Sequence, residues 1–327
     1  MTVISGRFSQ GKQNRREKSQ NKNNHLGEIT MSTILLTGAS GFLGSRMYEY
    51  FGQCTDESVL APSHGELDIT SLDSCRRWFS ENQPDTVIHL AAISDIGESE
   101  RNPELSRLVN VNGTENLAIC AKEWGIGGRF LFASSDQVYS GNNSDGRLNK
   151  ETDALSPINL YGREKAEAEE RVFSILPEAM GLRFAWMFDL KPGKGNYLKN
   201  LIASVMKHEP MEFAVNEFRG VSYAYEVFEN IRALLLSGAP GGAYNFGSPA
   251  CGNAYESAVR VYELLEKHLA VPTEGLAVPI LREEPRTLAM DQTRLQSVGI
   301  QFKNSVNAAE YCIQRELRKE GKEYGMH

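Results

Sequence analysis

A short apolar run, Thr33–Thr37, leads straight into Gly38, Gly41 and Gly44, while Leu43, Met47 and Tyr50/Phe51 recur at helical spacing. No other feature constrains the fold so strongly. A strand, a glycine-spaced turn and an amphipathic helix in direct succession open an alternating α/β sheet. The alternation continues. Val59–Ala61 reads as a second strand and Leu72–Phe79 as a helix; Thr86–Leu90, after the turn signal Pro84-Asp85, reads as a third strand. Pro103 opens a long helix ending near Gly125. Arg129–Ala133 reads as a fourth strand, Pro157–Leu176 as a helix and Leu182–Trp186 as a fifth strand. Strands separated by helices pair in parallel through right-handed crossovers, so the expected architecture is a doubly wound parallel α/β sheet.

After Phe188 the rhythm breaks. Lys191-Pro192-Gly193-Lys194-Gly195-Asn196 is a loop, and Gly238-Ala239-Pro240-Gly241-Gly242 and Thr273-Glu274-Gly275 punctuate shorter elements. The chain has 327 residues, 41% of them hydrophobic and 24% charged, enough for two domains at roughly 150 residues each. The sequence divides into a disordered leader (1–30), a cofactor domain (31–186, with strands returning at about 221–247), and a smaller interleaved C-terminal substrate domain (187–220 and 248–327). The leader is rich in Gln, Asn, Lys and Ser and has no apolar run of signal-peptide length, so a native start at Met31 or a floppy tail is expected rather than an address signal. The net charge of −7 hides an asymmetry: the first thirty residues carry +4 and the remainder −11. An acidic body argues against a nucleic-acid partner, and no apolar run approaches the ~18 residues of a membrane span. Cys54, Cys75, Cys120, Cys251 and Cys312 are odd in number and scattered, as suits reduced thiols in a cytoplasmic protein. His64 and His89 have no partners at ligand spacing; both read as structural, and no metal is expected.

Two segments carry chemistry. In Gly38-Ala39-Ser40-Gly41-Phe42-Leu43-Gly44, the first glycine permits a tight turn, the second a close backbone approach to a diphosphate, and the third close helix packing. The following helix N-terminus offers free N–H groups and a positive dipole end to phosphates. The second strand ends in Leu60-Ala61-Pro62-Ser63-His64 without a carboxylate, and Arg46 stands nearby in sequence. That pattern tilts the expected cofactor to NADP, with NAD the alternative. Asp68 and Ile69 are placed beside the adenine. Further on, Tyr161 and Lys165 share a helix face at i and i+4, where a nearby cation favours the phenolate. Ser134-Ser135-Asp136-Gln137-Val138-Tyr139 ends the fourth strand, where open α/β sheets place their ligands.

Together these segments resemble the extended short-chain dehydrogenase/reductase family. The Thr-Gly-x-x-Gly-x-x-Gly loop, His89-Leu90-Ala91-Ala92, Asn110-Val111-Asn112-Gly113-Thr114, Ser-Ser-x-x-Val-Tyr and Tyr-x-x-x-Lys occur in the family's order. The resemblance implies a Rossmann-type fold. It makes Ser135, three before Val138, the catalytic hydroxyl and Tyr161 the general acid/base. Lys165 becomes the nicotinamide-ribose ligand that lowers the Tyr161 pKa. Gly38, Ser40, Gly41, Phe42, Leu43 and Gly44 would hold the diphosphate, Ala91 and Ala92 would line the cofactor, and Asn110 would assist.

Within that family the chain is similar to the dTDP-4-dehydrorhamnose reductase group, across Glu151–Gly162 and Phe184-Ala185-Trp186-Met187-Phe188. Dehydratases of nucleotide sugars resemble Ser-Thr-Asp-Glu-Val-Tyr at the catalytic strand; here Gln137 is an amide that cannot exchange a proton, which disfavours elimination. The resemblance implies a reductase of a nucleotide-linked 4-keto-6-deoxy sugar, as in dTDP-rhamnose biosynthesis. Asp136, Trp186 and Asn196 would meet the substrate, and a homodimer is the candidate assembly. Glu284 stands where that group has an arginine. The alternatives are a nucleotide-sugar epimerase, or a regulatory subunit like the methionine adenosyltransferase β subunit.

Overall fold

The computed structural model describes residues 33–53, 57–142, 146–191 and 196–319; the expected leader, Met31, Cys54 and loop residues 192–195 lie outside them. The chain opens with β1 (Thr33–Thr37), α1 (Phe42–Phe51), β2 (Ser58–Leu60), α2 (Leu72–Asn82) and β3 (Thr86–His89). Next come α3 (Ile96–Arg101), α4 (Pro103–Arg107), a π-helical stretch Leu108–Gly113, α5 (Thr114–Glu123) and β4 (Phe130–Ser135). Then follow α6 (Leu160–Ile175), β5 (Met180–Phe184), β6 (Trp186–Phe188), α7 (Tyr197–Lys207), β7 (Met211–Ala214), β8 (Glu217–Phe218), β9 (Val221–Tyr223), α8 (Ala224–Leu236) and β10 (Gly242–Phe246). The last described elements are α9 (Ala254–Leu269), β11 (Ala277–Ile280), β12 (Arg286–Thr287), α10 (Thr293–Ser297) and α11 (Ser305–Lys319).

Six strands form one parallel sheet in the order β10-β5-β4-β3-β1-β2, the doubly wound Rossmann-type arrangement. The central strands are covered on both faces, which is why they read as unbroken apolar runs. Ile34, Leu36, Ile88, Leu131 and Leu182 pack with Met47 and Phe51 of α1 and with Val227, Phe228, Ile231 and Leu234 of α8. Leu35, Val87, Phe130 and Phe132 face the other way, onto Trp78 and Phe79 of α2, Leu117 of α5 and Val172 of α6. A third core joins Phe188, Leu198, Leu201, Val205, Val261, Leu265, Ala308 and Cys312.

Four expectations need correction. The fifth strand does not run to Trp186: β5 ends at Phe184, and Trp186–Phe188 pairs with β9 in a separate two-stranded sheet. Of the strands expected to return at about 221–247, β10 alone joins the main sheet, because β9 is taken by β6. The single helix from Pro103 is interrupted by the π-helical stretch, and α3 precedes it. Leu295, Ile300 and Phe302, expected in the substrate domain with the rest of 248–327, pack into the core of the sheet. Among the described residues no helix is long and apolar enough to cross a membrane.

Candidate active site

The chain leaves β1 for β2 on one side and later returns to β3 on the other, and this reversal opens a crevice at the C-terminal strand ends. The glycine turn lies there. Gly38 has φ +74°, and a Cβ on it would stand 2.6 Å from the Ala91 nitrogen. A Cβ on Gly44 would stand 2.2 Å from the Gly38 carbonyl oxygen, so this glycine lets α1 close onto the turn. Gly41 is different: its nearest contact would be the Gly38 oxygen at 3.3 Å. It forms the N-cap of α1 with no side-chain cap and no acid in the first turn. The first N–H groups of α1 are therefore available to an external anion. A tight glycine turn lining the cleft and facing an uncapped helix start fits a dinucleotide diphosphate.

The cleft beside this turn holds about 840 Å³ and is lined by Gly38, Ser40, Gly41, Phe42, Leu43, Gly44, Ile69, Ala91 and Ala92. Ser135, Asp136, Gln137, Tyr161, Trp186 and Arg219 line the same cleft. Asp68 does not. Its carboxylate accepts from the Thr70 nitrogen at 2.9 Å and the Thr70 hydroxyl at 2.7 Å, closing an Asx turn that leaves Ile69 facing the cleft. The carboxylate at this end is Glu66, which accepts from the Ser63 nitrogen at 2.8 Å and the Ser63 hydroxyl at 2.7 Å. Arg46 is bonded to Asp189 and is not among the lining residues.

Asn110 is fully buried in the π-helical stretch and works as a clamp. It accepts from the Ile93 nitrogen at 2.9 Å and donates to the Ile93 carbonyl at 3.0 Å, fixing the segment after β3. Its own carbonyl accepts from the Thr114 hydroxyl at 2.7 Å. Thr114 must then accept from Nε2 of His89 (2.9 Å), which leaves Nδ1 to accept from the Thr37 hydroxyl (2.7 Å). The Thr37 oxygen in turn accepts from the Ala91 nitrogen at 3.3 Å. Every donor in this chain of bonds has one direction. Burial depresses the His89 pKa to about 3, with the Lys165 charge acting the same way, so the imidazole is neutral and structural.

At the other end of the cleft, Asn159 caps α6, accepting from the Gly162 nitrogen at 2.8 Å, and so sets the orientation of Tyr161. Gln137 bridges that cap to β4. Its amide oxygen accepts from Asn159 at 3.0 Å and its amide nitrogen donates to Asp136 at 3.3 Å. Asp136, fully buried, receives the Arg219 guanidinium through Nε at 2.9 Å and Nη2 at 3.2 Å, and the Ser135 hydroxyl at 3.3 Å. Burial pushes the Tyr161 pKa well above its ordinary value and the Asp136 charge adds to this; a Ser135 hydrogen bond and the Arg219 charge pull it down. Tyr161 is thus a protonated phenol at neutral pH, a correction to the expected phenolate: burial dominates, and Lys165 is not among the groups that lower its pKa. Lys165 Nζ lies 5.6 Å from the Tyr161 ring centroid, and burial lowers its pKa to about 8 against the Glu164 and Glu169 charges.

Trp186 is 45% exposed in the cleft, with the Arg219 guanidinium 5.4 Å from its ring centroid and Tyr197 meeting it edge-on. Asn196 is not brought to the cleft: it caps α7 and donates to the Asp189 carbonyl at 2.9 Å. Ser134 is likewise occupied, donating to Glu169 at 2.5 Å. Sequence reasoning missed Arg219, which lies 83 residues from Asp136 in a segment with no motif.

The reversed sheet, the glycine turn and a cleft lined by Ser135 and Tyr161, though not by Lys165, are those of an extended short-chain dehydrogenase/reductase of the Rossmann type. The chain belongs to the RmlD substrate-binding domain family, whose sequence profile matches residues 31–317. It is 27% identical over 284 residues to a dTDP-4-dehydrorhamnose reductase of Aggregatibacter actinomycetemcomitans, covering 83% of this chain and 95% of that protein. It is 28% identical over 267 residues to a dTDP-4-keto-6-deoxy-D-glucose reductase of Streptomyces niveus, covering 80% and 89%. In fold it matches the Bacillus anthracis dTDP-4-dehydrorhamnose reductase solved in complex with NADP, with a TM-score of 0.75 at 21% identity over 87% of this chain and 99% of that one. A Thermotoga maritima UDP-glucose 4-epimerase shares the fold, with a TM-score of 0.65 at 20% identity over 89% and 100%.

Proposed function

We propose that the protein reduces the 4-keto group of a nucleotide-linked 4-keto-6-deoxy sugar, using NADPH with NADH as the alternative, and does so in the cytoplasm. The observation that carries this reading is the position of Tyr161: a buried, protonated phenol lining the same cleft as the glycine cradle and Trp186. The names of the 27–28% identical relatives support the substrate class, and the NADP-bound neighbour supports the cofactor.

The dinucleotide's diphosphate would lie on Gly38–Gly44 and the start of α1, and Lys165 would hold its ribose. Bound in reduced form, it supplies the hydride for the keto carbon. Tyr161 donates its phenolic proton to the carbonyl oxygen as negative charge develops there. Ser135 offers a second hydrogen bond to the same oxygen, stabilising charge where it forms. Arg219 holds Asp136, and both charges reach the phenol, so a pair 83 residues apart in sequence adjusts an acidity that burial mainly sets. Trp186 presents a flat apolar face to a sugar ring. Gln137, committed to Asp136 and Asn159, supplies no acid for elimination of water.

The test is NADPH oxidation against a panel of nucleotide-linked keto sugars. Net oxidation with one of them is expected; an epimerase would show no net consumption, and a regulatory subunit none with any sugar. Tyr161→Phe should lower turnover by at least about a hundredfold, the scale of general-acid catalysis, while dinucleotide affinity stays within a few-fold. Undiminished turnover in that variant refutes the assignment.

A further inference from the structure

Two aromatic residues line the cleft at its two ends, Phe42 beside the glycine turn and Trp186 beside Arg219, and one run of contacts through the protein joins them. Phe42 is the first residue of α1, and the Arg46 guanidinium lies 4.5 Å from its ring centroid. Arg46 Nε donates to Asp189 Oδ2 at 2.5 Å, across 143 residues of sequence. Asp189 directly follows β6 and is 4% exposed. Its Oδ1 accepts from Asn196 Nδ2 at 3.2 Å and lies 3.7 Å from Lys199 Nζ, and its carbonyl accepts from the same Asn196 nitrogen at 2.9 Å. Asn196 caps α7, whose first residue, Tyr197, meets Trp186 edge-on at 5.8 Å. α1, β6 and α7 thus converge on one buried carboxylate.

A buried carboxylate separated from its cation is strongly destabilising, so elements that share such a pair move together. If α1 drew away from β6, Asp189 would keep an amide and a lysine at 3.7 Å but lose the guanidinium. Arg46 also donates to Ser45 at 3.1 Å, a bond within α1 that links it to nothing else. Lys191 and Glu49 join the same two parts of the chain, but the Glu49 side chain is 58% exposed, and pairs of that kind contribute little. The Arg46–Asp189 pair is therefore the stiff part of the link.

We propose that Arg46 and Asp189 are positioning residues that couple the two ends of the cleft. This rests on the reading that a dinucleotide and a nucleotide sugar share it. A dinucleotide seated against the start of α1 fixes that helix, the ion pair fixes Asp189, and Asp189 fixes β6 and the start of α7, where Trp186 meets the sugar. Ordering the site costs less for each ligand once the other is bound, so binding is cooperative and reciprocal. Neither Arg46 nor Asp189 lines the cleft; both act through Phe42 and Trp186.

The probes are NADPH and dTDP-glucose, a nucleotide sugar with a hydroxyl in place of the keto group, which accepts no hydride. Titration calorimetry measures dTDP-glucose affinity without NADPH and with NADPH saturating. In the parent the affinity should rise about tenfold with NADPH bound, and NADPH should gain by the same factor when the sugar is bound. Arg46→Met keeps an apolar stem against Phe42 and removes the charge. The ratio should then fall to about one, while each ligand alone binds within a few-fold of the parent. Arg46→Met/Asp189→Leu removes both charges, leaves no buried carboxylate unpaired and should give the same ratio, which keeps the test open if the single variant does not fold. A ratio near one in the parent, or the parental ratio retained in either folded variant, overturns the proposal. Loss of NADPH binding on its own in the variants also overturns it, because Arg46 would then be a direct ligand. If dTDP-glucose fails to bind the parent with or without NADPH, the reading of the cleft as a nucleotide-sugar site is refuted, and the coupling with it.

Discussion

Two glycines in one turn should answer differently to the same methyl group. In Gly44→Ala the added carbon would stand 2.2 Å from the Gly38 carbonyl, where real contacts keep 3.0 Å or more, so α1 and the turn must separate by about 1 Å. Overpacking of this kind costs about 1–3 kcal/mol, and because the obstacle is backbone the upper part of that range applies. The better helix propensity of alanine returns about 1 kcal/mol. The net loss is about 2 kcal/mol, or about 3 °C in Tm for a chain of this size. Gly41→Ala meets one atom at 3.3 Å and sits at φ −79°, a conformation open to any residue. Its stability cost is about 0.5 kcal/mol, the scale of a weak N-cap change. Dinucleotide affinity should behave the opposite way. Gly41 lines the cleft at the uncapped start of α1, so a methyl there would crowd a bound diphosphate. Losing two charge-assisted hydrogen bonds of about 1.5 kcal/mol each weakens binding about a hundredfold. Thermal unfolding and NADPH fluorescence titration measure the two quantities on the same samples. If Gly41→Ala binds with undiminished affinity, or melts as early as Gly44→Ala, the assignment of separate roles is wrong.

Gln137→Glu would set a second carboxylate against the buried Asp136 in place of the amide donor. Stability should fall by about 1–3 kcal/mol, and by more at pH 8 than at pH 5.5, because a carboxyl whose pKa is raised on folding weakens the fold as pH climbs above its unfolded value. Equal urea midpoints for the variant and the parent at pH 8 would count against the Gln137–Asp136 contact. Arg219→Met takes away a charge that pulls the Tyr161 pKa down and the cation over Trp186. It should lower kcat by about tenfold, one unit of acidity in the proton donor, with a higher KM for the sugar; kinetics indistinguishable from the parent would remove Arg219 from the site.

Much of this site could be read before any coordinates, because its parts are local. A glycine spacing encodes a turn, and a Tyr–Lys spacing encodes one helix face; both depend on neighbours within about one helical turn. The first strand, Thr33–Thr37, matched to the residue for the same reason. What escaped was set by distant pairing. Nothing near Ala185 announces that Trp186–Phe188 will leave the sheet, since the competing partner is β9, more than thirty residues away. Arg219 carries no motif and acquires meaning only against Asp136 and Trp186. Asn196 is expected at the substrate from the family resemblance and Asp68 at the adenine from its place after the second strand, yet each side chain is bonded to a backbone group within seven residues, a local competition that position alone does not reveal. Glu66 was passed over because the expected acid was sought a few positions earlier.

The covering of the sheet bears on how this chain can be divided. One face of the cofactor-binding strands is roofed by Val227, Phe228, Ile231 and Leu234, and by Leu295, Ile300 and Phe302 from close to the opposite end of the chain. A gene fragment ending near residue 186 would carry every glycine of the cradle and both Tyr161 and Lys165, yet leave the part of that face beyond α1 bare to water. The dinucleotide-binding part is therefore not a detachable cassette. Recombination that swaps the later half for another sugar-binding module must also supply a new roof, so substrate preference and the solubility of the cofactor half are inherited together.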